Sequence, residues 1–386
     1  MCDSMVTRRT ILKGAAGALA FPMINRGSFA FAAAPTRHYS ARAVKVVRES
    51  LVIDMLAPLK LDFDPTFFDH PFGADDIGQF KASGITGFHH SVGIGGPGSK
   101  EQALDFLASY QGWVGRQADE FTLVGTAADL DHAKAEGKAA IIMGLQNAEQ
   151  FEKPEDVQYF YRLGLRCAQL TYNSQNLIGS GSTDRVDGGV SDFGEEIIKA
   201  MNKVGMLVDT SHCGERTTLD AIALSPKPIA ITHSNCKALN PHPRNKSDEV
   251  IRSLAAKGGV MGITGVRMFV KDRDPTTVAD MADHIDHVVK LVGIEHVGIG
   301  SDADLNGYDD MPPDQYKQLK AGYKASYAFR DKIDIDGFDH PQKMFDLTEQ
   351  LIRRGYSDDN MRLVLGGNFR RLLGETFGSN EPRRGK

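Results

Sequence analysis

Residues 206–212 read Met206-Leu207-Val208-Asp209-Thr210-Ser211-His212, and residues 229–233 read Ile229-Ala230-Ile231-Thr232-His233. Each is a short apolar run that ends in polar, chemistry-bearing side chains. An apolar run of this length suits a strand buried on both faces, the kind found in parallel sheets. Six more runs of the same kind lie at 50–55, 85–92, 139–145, 165–172, 259–264 and 296–301. Between the runs lie stretches with helical spacing. Phe193, Ile197, Ile198 and Met201 share one face over 192–204, and Met281, Ile285, Val288 and Val289 share one face over 278–292. Eight buried strands, each followed by a helix-compatible segment, predict an α/β fold of the (β/α)₈ TIM-barrel type. An open doubly wound sheet uses the same alternation, and a strand count does not separate the two.

The chain has 386 residues, 41% hydrophobic and 25% charged, which is enough for one large core. Between residues 44 and 377 there is no long linker, low-complexity tract or repeat. One barrel domain with C-terminal helices is therefore expected over 35–386. A formal net charge of −5 offers no electrostatic reason to expect nucleic acid or an anionic membrane as partner. Twelve histidines direct attention to a metal site, and four cysteines (Cys2, Cys167, Cys213, Cys236) are too few for a disulfide scaffold.

Residues 1–34 read as a targeting segment outside the fold. Thr7-Arg8-Arg9-Thr10-Ile11-Leu12-Lys13 is a twin-arginine pattern, followed by an Ala/Gly-rich apolar stretch and the small residues Ala30 and Ala32-Ala33-Ala34. Asn25 and Arg26 interrupt that stretch, so it is not expected to span a membrane as a helix. The expectation is a periplasmic or secreted protein, exported by the twin-arginine route, with no membrane span in its mature form.

The chemistry gathers at the C-terminal ends of the runs, which is the active-site face of a barrel. There stand Asp54, His89 and His90, Gln146 and Asn147, Tyr172 and Asn173, Asp209 with His212, His233, and Asp302. Imidazoles and a carboxylate from separate strands are a common way to hold zinc with one position left open for water. A histidine at a strand end is also a common structural residue, and spacing alone leaves both readings open.

Four segments carry a family resemblance: 206–212, Ile231-Thr232-His233-Ser234, His242-Pro243-Arg244-Asn245, and the stretch from His284 through Gly298-Ile299-Gly300-Ser301-Asp302. Leu365-Gly366-Gly367-Asn368-Phe369 adds a fifth. Together they resemble the membrane (renal) dipeptidases, peptidase family M19, from about residue 52 to 377. The resemblance implies a barrel with a two-metal site that hydrolyses dipeptides. By position, His212 and His233 would bind the second metal. Asp302 would orient or deprotonate the attacking water and contact the first metal. Arg244 would pair with the substrate carboxylate, where a planar fork suits bidentate binding. Tyr172 stands where the family often has a histidine that polarises the scissile carbonyl. His284 and His287 resemble a structural element of the family rather than ligands.

The chain also departs from the family. Leu56 and Pro58 stand where a His-x-Asp pair should bind the first metal, and Gln146 replaces a bridging glutamate. A neutral amide is a poor bridge between two dications. Asp54 shares strand parity with 56 but lies roughly 7 Å deeper. His89 and His90 alternate, so only one of them is expected to face the barrel interior, as a third nitrogen ligand or a general base. The expectation is therefore one zinc ion rather than two, or none, held by His212, His233 and His89. Asp302, Tyr172 and His90 would be catalytic, and Arg244, Asn173 and Gln146 would bind substrate. The expected activity is that of a dipeptidase-like metallohydrolase acting on a small amide with a carboxylate. The alternatives are a lyase, isomerase or lactone hydrolase on the same barrel, or a binding protein without chemistry. The segment 304–342, rich in Tyr316, Tyr323, Tyr327 and Phe329, reads as a lid or as a contact in a homodimer. Core packing explains those aromatics equally well.

Overall fold

The computed structural model of the protein describes residues 37–61, 66, 69–308 and 311–377. The twin-arginine segment lies outside the described residues. The strands are β1 (Val52–Asp54), β2 (Ile85–Val92), β3 (Phe121–Leu123), β4 (Ala139–Leu145), β5 (Cys167–Gln169), β6 (Leu207–Asp209), β7 (Ala230–Ser234), β8 (Val260–Ile263) and β9 (Val297–Ile299). All their pairings are parallel. β1 pairs with both β2 and β9, and β2 pairs with β4. Those contacts close eight strands into a barrel in the order β1-β2-β4-β5-β6-β7-β8-β9. Closure excludes the open sheet, and the eight barrel strands coincide with the eight apolar runs.

β3 was not expected. It pairs with β4 over residues 139–141, on the edge away from β2, before β5 takes up that edge at residues 144–145. Phe121, Thr122 and Leu123 are too few to show a period, and only Phe121 is fully buried.

The two helices read from their apolar faces form over the expected residues. Asp192–Val204 starts at Ser191, whose hydroxyl accepts from the Gly194 N–H, and stops at Gly205 with φ 84°. Val278–Val292 starts at a capping box between Thr277 and Asp280. Its residues Met281, Ile285 and Val288 are buried, as their spacing demands. The C-terminal helices Lys343–Arg353 and Asn368–Thr376 bury Leu347, Leu351, Phe369, Leu372 and Leu373. Phe369, Leu372 and Leu373 pack with the lower barrel residues Ile53, Leu207, Ala230 and Val260. A second cluster of Val266, Met268, Phe269, Tyr327 and Ile333 sits above the β8 end. The barrel is thus packed below and covered above, with polar side chains between. Among the described residues no helix is long and apolar enough to cross a membrane.

Candidate active site

β6 ends at Asp209, whose carboxylate orders the turn that follows. Asp209 Oδ1 accepts from the Ser211 N–H at 3.0 Å, the Ser211 hydroxyl at 2.6 Å and the Thr232 N–H at 3.0 Å. Its Oδ2 accepts from the Thr232 hydroxyl at 2.7 Å. With that proton committed, Thr232 Oγ1 accepts from His233 Nδ1 at 2.8 Å. On the other side, Asn173 Oδ1 accepts from His212 Nδ1 at 2.8 Å and from the Ser182 hydroxyl. The Thr232 contact puts the ring proton of His233 on Nδ1, and the Asn173 carbonyl favours the same tautomer for His212. Their Nε2 atoms face each other at 2.8 Å. Burial, then the nearby Arg244 guanidinium, holds both imidazoles well below the usual histidine range, so both are neutral.

At 2.8 Å the two nitrogens share either a proton, as a hydrogen bond, or a cation. Neutral imidazoles with the far N–H hydrogen-bonded are the form in which histidine binds metals. This donor pair fits one divalent cation. It does not extend to a second. Leu56 uses its carbonyl to accept the Asp302 N–H at 2.8 Å and the Ser301 hydroxyl at 3.3 Å, Pro58 lines the cavity, and Gln146 Nε2 donates to Ser91 O at 3.0 Å. Among the described residues no group of three or more His, Cys, Asp or Glu side chains could hold a metal ion.

His89 and His90 are both buried and face opposite ways. His89 Nδ1 donates to Met55 O at 2.6 Å, and its Nε2 is buried without a partner. Its charge field reaches Asp209 and His233, which places it inside the barrel. Room for its ring comes from Gly144, where a Cβ would lie 2.0 Å from Nε2. His90 turns outward, stacks on Tyr110 with 4.0 Å between ring centroids, and accepts the Leu59 N–H at Nδ1. Burial pushes it down to about 3. It still lines one lobe of the cavity.

Asp302 and Asn173 both adopt the left-handed backbone, with φ 61° and 59°. Asp and Asn tolerate that region better than other non-glycine residues, and such departures gather at functional sites. Burial pushes the Asp302 carboxyl up to about 7, against the pull of Arg244 and with Asp54 and Asp209 adding to the rise. Tyr172 stacks on His212 at 4.2 Å and shares a 2.9 Å hydrogen bond with the Tyr323 hydroxyl. Arg244 is fully buried, donates to Ser211 O and His233 O, and lies 5.1 Å from the Phe269 ring centre. It does not line the cavity. His212, Asp302, Tyr172, Gln146 and His90 do.

The cavity measures about 680 Å³, and its roof is the lid segment. Tyr308, Met311, Leu319, Tyr323, Tyr327 and Phe329 line it. His242 holds that lid by donating from Nε2 to Tyr327 O at 2.7 Å. Tyr316 packs in the apolar cluster behind. Cys213 and Cys236 are free, buried thiols. His284 accepts the Cys236 N–H and donates to Val270 O at 2.9 Å, a structural use.

The membrane dipeptidase model (peptidase family M19) matches residues 41–320. The chain belongs to this family. A curated relative, the dipeptidase verJ of Clonostachys rogersoniana, is 32% identical over 263 residues, which is 67% of this chain and 61% of that protein. The dipeptidase aclJ of Aspergillus oryzae is 30% identical over 65% of this chain and 55% of its own length. The chain thus spans less than two thirds of these curated relatives. An amidohydrolase from Pseudomonas aeruginosa matches in structure with TM-score 0.76 and 31% identity, over 87% of this chain and 99% of that one. A metallo peptidase from Rhodobacter sphaeroides, liganded with a phosphinate mimic of the dipeptide L-Ala-D-Ala, agrees in fold. Its TM-score is 0.70 at 21% identity, over 85% and 100% of the two chains.

The sequence placed Asp209 at a strand end and Tyr323 in the lid segment, but not their partners: Thr232 behind His233, and the Tyr323 contact to Tyr172, carry no sequence signal. Threonine beside a strand histidine reads as a β-former, and Tyr323 is distant in sequence from every strand end.

Proposed function

We propose that this family member is an exported metallohydrolase that cleaves a small amide bearing a carboxylate, a dipeptide or a close relative, with one zinc ion at His212 and His233. The facing Nε2 atoms of those two neutral histidines are the observation that carries the reading. When bound there, zinc supplies a water of lowered pKa and a Lewis acid for the scissile carbonyl. Asp302, with its carboxyl near 7, is poised to take a proton from the attacking water at Oδ at neutral pH. Burial raises the Tyr172 phenol, so it keeps its proton and can donate to the carbonyl oxygen. Gln146 and Asn173 flank the site, Asn173 through His212. Arg244 does not line the cavity and lies close enough to Tyr327 to bond its hydroxyl, so a substrate carboxylate reaches it only when the lining side chains move. His89 faces the barrel interior with an unpartnered Nε2 but does not form a three-ligand group with His212 and His233.

The test is an assay of the purified, zinc-supplemented protein against a panel of dipeptides and N-acyl amino acids. Hydrolysis that falls by at least a hundredfold in Asp302→Asn is expected. No turnover of any amide under any divalent metal would falsify the reading.

A further inference from the structure

A second cavity opens at the N-terminal ends of the strands, on the face of the barrel opposite Asp302. It measures about 300 Å³, at the lower end of the range for ligand cavities. The helices Ala41–Glu49, Ala74–Ser83 and Ala128–Glu136 end around it, beside the first residues of β2, β3 and β4. Ile77, Phe80, Ile85, Phe121 and Ala139 make its apolar wall. Every lining residue and its chain neighbours lie among the described residues.

Four cations line this cavity: Arg48, Lys81, Lys134 and Lys138. A basic residue in a last helical turn often does no more than complement the helix dipole, and two of the four have carboxylates of their own. Lys81 pairs with Glu120 at 2.8 Å and Lys138 with Glu136 at 3.0 Å. Arg48 and Lys134 come from different helices, and neither has an ion-pair partner among the described residues. Lys134 is half-buried, and burial pushes its ammonium below the usual lysine range. Thr86 lines the same cavity at 4% exposure. It shares the outward strand parity of His90, and its hydroxyl makes no hydrogen bond among the described residues.

Complementing helix dipoles accounts for the cations but not for a buried hydroxyl beside two of them without carboxylates. An oxyanion accounts for all three, because it accepts from each and offsets the charge that Lys134 carries out of water. A bare inorganic anion would leave the apolar wall wet, whereas an acid with an apolar body covers it as well.

We propose that this cavity binds a small carboxylic acid with an aromatic or branched apolar body, its carboxylate held by Arg48, Lys134 and Thr86. The site stands apart from amide hydrolysis and does not depend on the His212–His233 pair.

The probes are 3-phenylpropanoate, its neutral counterpart 3-phenylpropanol, and inorganic phosphate. Each is titrated calorimetrically, at low salt, into the full, zinc-supplemented protein. The acid is expected to bind about tenfold more tightly than either control, and each of Arg48→Gln and Lys134→Gln to weaken it about fivefold. Neither side chain has a described ionic partner to lose, so both variants are expected to fold. Neither lines the Asp302 cavity, so a loss in both localises the acid to this site. An acid that does not bind, that binds no better than the alcohol or phosphate, or whose affinity either substitution leaves unchanged, overturns the proposal.

Discussion

His233 turns its Nε2 lone pair toward His212 because its other ring nitrogen donates to Thr232, and Thr232 is held by Asp209. Thr232→Val removes that acceptor and frees the imidazole to change tautomer. Zinc affinity, measured by competition with a chromophoric chelator, is expected to fall about 10- to 100-fold, as for other outer partners of metal-bound histidine. Unchanged affinity would detach Thr232 from the site. Lys246 supplies a pH signature. Its ammonium is buried, donates to Thr210 O and Cys213 O at 2.8 Å each, and burial pushes it down to about 8. The unfolded chain binds its proton more tightly, so stability rises with pH between about 8 and the ordinary lysine value, by on the order of 3 kcal/mol. Lys246→Met is expected to lose that rise in urea unfolding followed from pH 7.5 to 10. An identical slope in the variant contradicts it. At this scale much was readable from sequence: His212, His233, Asp302 and Tyr172 stand at strand ends and line or adjoin the cavity. The phase of His89 and His90 was not, because alternation says that one faces inward without saying which. The small space over Gly144 decides it.

The β1 and β9 ends, where the resemblance would put a first metal, are tied together by a buried lysine and a buried aspartate. Lys343 Nζ donates to Asp304 O at 2.6 Å, Ser301 Oγ at 3.2 Å and Ala303 O at 3.4 Å, on both sides of Asp302. Asp54 Oδ1 accepts the Ser301 N–H at 2.7 Å from below. Burial pushes Asp54 up and Lys343 down, while the charge of each opposes the shift of the other. Lys343→Met leaves the Asp304 and Ala303 carbonyls without this donor and Asp54 without its cation. A loss of about 3 kcal/mol or more in urea unfolding is expected, as when one partner of a buried charged pair is removed. The loss in kcat should exceed the change in KM, since the Asp302 loop loosens and the lid does not. A stability change under ~1 kcal/mol would contradict this. Lys343 carries no signal in the sequence because it opens an amphipathic helix, where lysine reads as a solvated residue. The eight barrel strands were legible because each is buried on both faces, and β3 was not because three residues at a half-buried edge have no period.

The described residues from 41 onward form a packed barrel whose upper polar layer is roofed by an aromatic segment. Arg267 anchors the return of that segment by donating to Asp334 O at 2.7 Å and pairing with Asp274 and Asp336. Tyr323 joins the roof to the site through Tyr172. Tyr323→Phe removes one hydroxyl and should raise KM severalfold with stability unchanged within about 0.5 kcal/mol, as for a substitution that leaves the core packed. Steady-state kinetics with the best amide checks this, and an unchanged KM counts against roof closure over the substrate. The aromatic content of the roof was readable, but the sequence pattern served lid and core equally, and only the cavity beneath separates the two uses. The central claim is one cation held by His212 and His233. Elemental analysis of the purified protein beside a His212→Ala/His233→Ala double variant tests it most directly. About one equivalent of zinc in the wild type, absent from the variant, is expected from two facing lone pairs without a complete second ligand set. Two equivalents, or an equivalent that survives the double substitution, would contradict it.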